Sequence, residues 1–169
     1  MGQIDFNKLW ANFVDLVQNH YMDFSGRLGR AQYWYFVLIC VLVSIAAAIV
    51  DGIVGTVFSA GLIGSIVGLA LLLPTGGASA RRIQDSGNNG QFVWIYVIAA
   101  AITYVLRILL ALTGPFGALA FLAFFFSIGW LISLVMIVVG LAVLYFCVQP
   151  GTQGDNQYGP PPPPWSPGA

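Results

Sequence analysis

Residues 31–50 read AQYWYFVLICVLVSIAAAIV, a stretch without a single charge. A hydrocarbon core about 30 Å thick takes roughly 20 predominantly apolar helical residues to cross. The stretch has that length, and Asp51-Gly52 interrupts it. We read it as a membrane span and work outward. Apolar sequence resumes from Ile53 to Leu73, returns from Phe92 to Leu112, and returns again from Ala118 to Val148. The expected architecture is an all-α, polytopic four-helix membrane bundle with spans at about 31–50, 53–73, 92–112 and 120–146. Thr113 to Gly117 reads as a tight turn. Pro74 leaves the second span two courses: to stop there, or to kink and run on to Arg81-Arg82, because membrane helices tolerate Pro. Small residues repeat at four-residue intervals, Ser44, Ala48 and Gly52 in the first span and Ala60, Gly64 and Gly68 in the second. That interval lets helix backbones approach closely.

Composition agrees. Of 169 residues, 59% are hydrophobic and 7% charged, and mean hydropathy is +0.86; a soluble domain carries roughly 25% charged residues. Zero formal net charge gives no field to attract nucleic acid. Cys40 and Cys147 sit inside apolar runs and read as small core residues rather than as a redox pair. A lone His20 does not make a zinc site, and no cofactor is expected. The first thirty residues do not have the form of a signal peptide.

Two flanking segments complete the organisation. Over residues 1–24, Phe6, Leu9, Trp10, Phe13, Val14 and Val17 fall at the spacing of an amphipathic helix. Its apolar side suits either the membrane interface or the protein's own cytoplasmic face. Residues 25–148 form the membrane domain, and 149–169 a Gly- and Pro-rich tail whose composition suggests disorder or polyproline II. Lys8, Arg27, Arg30, Arg81 and Arg82 all fall on one side of a four-span arrangement, whereas the loops near Asp51 and Gly114 hold no Lys or Arg. The positive side faces the cytoplasm, which places both termini there.

Few residues could carry chemistry. There is no P-loop, no H-E-x-x-H and no Ser/His/Asp set, and the chain has no Glu. Ser25 suits the N-cap of the first span, which puts Arg27 and Arg30 on one face of its first turns. Cations there oppose the helix dipole, so an anion or an acidic side chain such as Asp85 is expected beside them; alternatively the arginines set topology and snorkel to headgroups. Arg107 lies within the third span, where a charge costs roughly 2.5 to 3.5 kcal/mol at the centre. An ion pair with Asp51 is the expected compensation; snorkelling to the outer interface and a pore or relay role are the alternatives.

Three motifs in order carry a resemblance. They are Phe24-Ser25-Gly26-Arg27 with Arg30 and Tyr33-Trp34; Arg81-Arg82-Ile83-Gln84-Asp85-Ser86-Gly87 with Gly90, after Pro74; and Pro150-Gly151-Thr152 through Gly154, Asn156, Tyr158, Gly159 and Pro160. Together, over about residues 20–160, they resemble the bacterial inner-membrane family catalogued as domain of unknown function 805. The resemblance implies an inner-membrane location and carries no established activity. Gln84, Asn88, Phe92 and Gln157 depart from the family's usual His, basic, Trp and Arg residues, which removes positive charge from the cytoplasmic face.

The expected site is one polar cluster beneath the bundle, formed by Arg27, Arg30, Arg81, Arg82, Asp85, Asn156 and Tyr158, with only the Pro-rich residues after Tyr158 loose. The expected function is non-enzymatic binding of membrane lipids, anionic ones included, or of a protein partner at the Pro-rich tail. A small oligomeric transporter or channel is the alternative, and a lipid-modifying enzyme requires an open cleft near Asp85 and Tyr158.

Overall fold

Asp5 accepts a hydrogen bond from the Asn7 N–H at 2.9 Å and so caps the first helix, α1 (Phe6–Gln18). In the computed structural model, which describes residues 4–54, 61–113 and 115–168, α1 buries Leu9, Asn12, Phe13 and Leu16 against α2 (Arg30–Val54) and α3 (Leu62–Asp85). Phe13 stacks on Phe36, and Asn12 donates to the Gln32 carbonyl at 3.1 Å. Phe6 and Trp10 stay 79% and 57% exposed. The stripe therefore divides, one edge packed on the bundle and the other left outward.

The first span runs past the expected break. Asp51 and Gly52 lie inside α2, and Ile53 belongs to α2 rather than to the second span. Charge and glycine suggested a turn, but the Asp51 carboxylate is buried against the start of α3, where it accepts from the backbone N–H groups of Ile63 (2.9 Å) and Gly64 (2.6 Å). These amides have no partner within their own helix, and an anion beside them also suits the positive end of the dipole.

α3 does not stop at Pro74. It continues to Asp85, although Pro lacks the N–H that would reach the Ala70 carbonyl. The Tyr21 hydroxyl supplies the missing donor, bonding Ala70 O at 2.9 Å. Thr75 Oγ1 donates to the neighbouring carbonyls of Leu71 and Leu72. With its partners restored, α3 is the central helix and touches α1, α2, α4 and α6.

A 3₁₀ turn (Gly90–Phe92) leads into α4 (Val93–Ala111). Pro115, a residue type suited to the first helical position, opens α5 (Pro115–Phe124), and a π-helical turn (Phe125–Gly129) joins it to α6 (Trp130–Val148). Gly114, in the expected tight turn, and Ala60, in the expected small-residue repeat, lie outside the described residues. Gly68 does serve close packing: a Cβ there would come within 2.5 Å of the Tyr104 ring of α4. The Ser44-Ala48-Gly52 stripe does not. All three residues are exposed, and α2 turns Tyr33, Phe36, Cys40, Ala47 and Asp51 inward instead.

Among the described residues, four helical stretches are long and apolar enough to cross a membrane. Their outward faces carry Leu42, Ile49, Ile102, Leu109, Ile137 and Leu141, an apolar exterior of the kind lipid solvates. The first and last described segments meet at one end of this bundle, the polar end, where the Asp5 N–H bonds the Pro167 carbonyl.

Candidate functional site

The polar end is built on the last turn of α3. Leu28 N–H bonds the Arg81 carbonyl at 3.2 Å, so the segment before α2 runs beside this turn. That segment is not helical: α2 begins at Arg30, Gly26 has a φ of +95°, and Ser25 bonds Asp23 rather than capping a helix. Arg27 and Arg30 therefore do not share a helix face, contrary to expectation.

Arg27 reaches inward, its side chain only 2% exposed. Its Nε donates to Asp85 Oδ1 at 2.9 Å. Nη1 donates to the carbonyls of Gly154 (2.7 Å) and Gly159 (3.2 Å), and Nη2 to that of Thr152 (2.7 Å). Arg82, fully buried one turn before Asp85, donates to Asp85 Oδ2, to the Gln149 carbonyl, and through Nε to the Cys147 carbonyl at 3.0 Å. One buried carboxylate thus stands between two buried guanidiniums, and both guanidiniums use their other N–H groups on carbonyls at the end of α6 and in the tail.

The tail closes the arrangement. Thr152 N–H bonds the Asp85 carbonyl at 2.8 Å, and Asn156 Nδ2 bonds the Gln84 carbonyl at 3.0 Å. Gly151 packs so tightly on Asp85 that a Cβ there would come within 2.2 Å of its carboxylate. Tyr158 takes part through its backbone N–H, which bonds Asn156 Oδ1.

The other expected members are placed differently. Arg81 turns away to Asp23, 3.5 Å from its carboxylate. Among the described residues its Nε and Nη2 are buried without a protein partner, a setting in which proteins commonly hold water. Burial works to raise the Asp23 pKa, but hydrogen bonds from His20 and Ser25 and the Arg81 charge outweigh it and hold the carboxyl below its ordinary value. Arg30 is exposed and has no hydrogen bond or ion pair among the described residues. The Asp51–Arg107 ion pair is likewise not made among the described residues, because Asp51 is committed to the amides of α3. Among the described residues no group of His, Cys and Asp side chains could hold a metal ion.

The Pro-rich end is not loose. Trp165 packs on Tyr35 with ring centroids 5.7 Å apart, Pro162 lies over Gly29, Asp5 N–H bonds the Pro167 carbonyl at 2.8 Å, and Lys8 donates to the Gly168 carbonyl. Composition alone missed this because proline-rich chain lacks internal hydrogen bonds; its partners are aromatic rings and backbone groups elsewhere. The Gln84 side chain, which bonds the Phe24 carbonyl at 2.9 Å, was also missed, since a single amide carries no sequence signal.

The residues so clasped are those of the three motifs. The family described as "Protein of unknown function (DUF805)" matches residues 21–160. The chain belongs to the DUF805 family. Its relatives include "Inner membrane protein YhaH" of Escherichia coli (strain K12), 26% identical over 148 residues that cover 86% of this chain and 92% of the relative. "Inner membrane protein YhaI" of the same organism is 27% identical over 143 residues, covering 85% and 88%. No solved structure matches the chain. The DUF805 match spans Arg27, Arg82, Asp85 and Asn156, and its last residue, Pro160, directly follows the tail segment that Arg27 holds.

Proposed function

We propose that this DUF805 protein is a non-enzymatic inner-membrane protein with both termini in the cytoplasm, and that its polar end engages anionic lipid headgroups. The observation that carries this reading is Arg30. It stands exposed in the first turn of α2 without a partner among the described residues, whereas Arg27, Arg81 and Arg82 are engaged by Asp85 and Asp23. A cation at a helix N-terminus opposes the dipole, so an anion from outside the chain is its natural partner. The exposed Phe6 and Trp10 of α1 suit the same interface. The lipid site is thus narrower than the whole arginine cluster, which serves to hold the tail.

Transport is less well supported. Ser44, Thr103, Ser127 and Ser133 each donate to a carbonyl three or four residues back, so these hydroxyls are satisfied locally. A lipid-modifying reaction at Asp85 is opposed by the arginines and Gly151 that enclose it. A protein partner for the Pro-rich tail would have to displace Tyr35 from Trp165.

Native mass spectrometry of gently solubilised protein tests the reading. Wild type should retain phosphatidylglycerol in preference to phosphatidylcholine, and Arg30→Gln should lose that preference. Equal retention by the variant would contradict it.

A further inference from the structure

Between α4 and α6 lies a cavity of about 510 Å³ that runs from Tyr96, near the start of α4, towards the end opposite the polar cluster. Its wall includes Ala99, Thr103 and Arg107 of α4, Gly129 at the end of the π-helical turn, and Ser133 and Met136 of α6. Three independent features meet here. The volume lies within the roughly 300–1,000 Å³ of ligand sites, and a mostly apolar wall with a few polar groups is their usual lining. The π-helical turn interrupts the α5–α6 rod at this wall, and such turns occur often at functional sites. Arg107 is a cation within a span, has no hydrogen bond or ion pair among the described residues, and lines the cavity.

The wall also orients a ligand. Thr103 and Ser133 already donate to Ala99 O at 2.8 Å and Gly129 O at 2.9 Å, which leaves Arg107 as the charged residue of the wall, its guanidinium reaching to Gly61 at the start of α3. Arg107 sits four residues before the end of α4, roughly 6 Å from it at 1.5 Å per residue, at the depth of an interface. From Tyr96, also on the wall, to Arg107 the cavity follows α4 for about 16 Å of apolar surface.

We propose that this cavity binds a phospholipid of the leaflet opposite the polar end, one acyl chain lying between α4 and α6 and the phosphate on the Arg107 guanidinium. This site is separate from the headgroup contact at Arg30, since Arg107 stands near the other end of α4.

The test uses the full chain in nanodiscs containing phosphatidylglycerol that carries a photoactivatable acyl chain, with labelled peptides mapped after proteolysis. The wild type should be labelled between residues 96 and 107 and between 129 and 136. A diacylglycerol probe with the same chain, which lacks the phosphate, should label these segments less by about tenfold, the worth of one charge-assisted hydrogen bond. Arg107→Gln should bring the phospholipid down to the diacylglycerol level, and Arg30→Gln should leave labelling here unchanged. Ala99→Phe, which fills the cavity and keeps the charge, should also abolish labelling, and it serves if Arg107→Gln fails to fold. Equal labelling by both probes, labelling insensitive to Ala99→Phe, or crosslinks to a second copy at these segments would overturn the proposal.

Discussion

Arg27 and Asp85 lie 58 positions apart in the chain, yet Arg27 Nε sits 2.9 Å from Asp85 Oδ1. The other oxygen of the same carboxylate holds Arg82. Two guanidiniums out of water need a carboxylate close by, and their remaining N–H groups need acceptors. The carbonyls of Cys147, Gln149, Thr152, Gly154 and Gly159 meet that need. The tail is thereby part of the folded core.

Asp85→Asn leaves both guanidiniums buried without a counter-charge. Breaking a buried pair by removing one partner costs about 3–5 kcal/mol, so the variant should melt well below wild type in detergent. Arg27→Gln should destabilise too, and the double variant should lose less than the sum of the two, because residues in one network couple. Additive losses would contradict the arrangement.

Asp51→Asn should cost about 1–2 kcal/mol through the weakened cap on α3. Arg107→Gln should change stability by less than about 0.5 kcal/mol, and the two effects should add. Thermal melts of the single and double variants check this; strong coupling would restore the ion pair expected from sequence.

Tyr21→Phe strands the Ala70 carbonyl and should cost about 1 kcal/mol. In a Pro74→Ala background the new N–H can bond Ala70 O itself, and Tyr21→Phe should then cost much less. A loss of the same size in both backgrounds would show that the hydroxyl acts elsewhere.

The Asp23 carboxyl is held below its ordinary value of 3.8. A group with a lower pKa when folded binds fewer protons in that state, so its contribution to stability is present above the ordinary value and fades as pH falls through the folded one. Melting temperature followed from about pH 6 down to pH 3 should fall less steeply for Asp23→Asn than for wild type. Identical slopes would remove Asp23 from the acid response.

The bundle was legible because length and hydropathy are summed properties that a local error does not disturb. Helix ends were not. Asp51-Gly52 has the composition of a break, but its carboxylate accepts from the amides of Ile63 and Gly64 in a distant segment, and the course of the helix at Pro74 depends on the Tyr21 hydroxyl at Ala70. Of the expected cluster, Arg27, Arg82, Asp85 and Asn156 came together, since buried charges and amides must find partners. Arg30 and Arg81 differ from them only in direction, which follows from where α2 begins and where Asp23 lies. The docking of Trp165 on Tyr35 depends on geometry between distant segments, which spacing within either segment does not encode.

Hydrogen–deuterium exchange over residues 150–159 tests the clasp most directly. The amides of Thr152, Asn156 and Gly159 are bonded to Asp85 O, Gly159 O and Asn156 O, so they should exchange far more slowly than an unstructured peptide and lose that protection in Asp85→Asn. Exchange at the free-peptide rate in the wild type would mean that the tail is not held, and that the buried arginines must be explained another way.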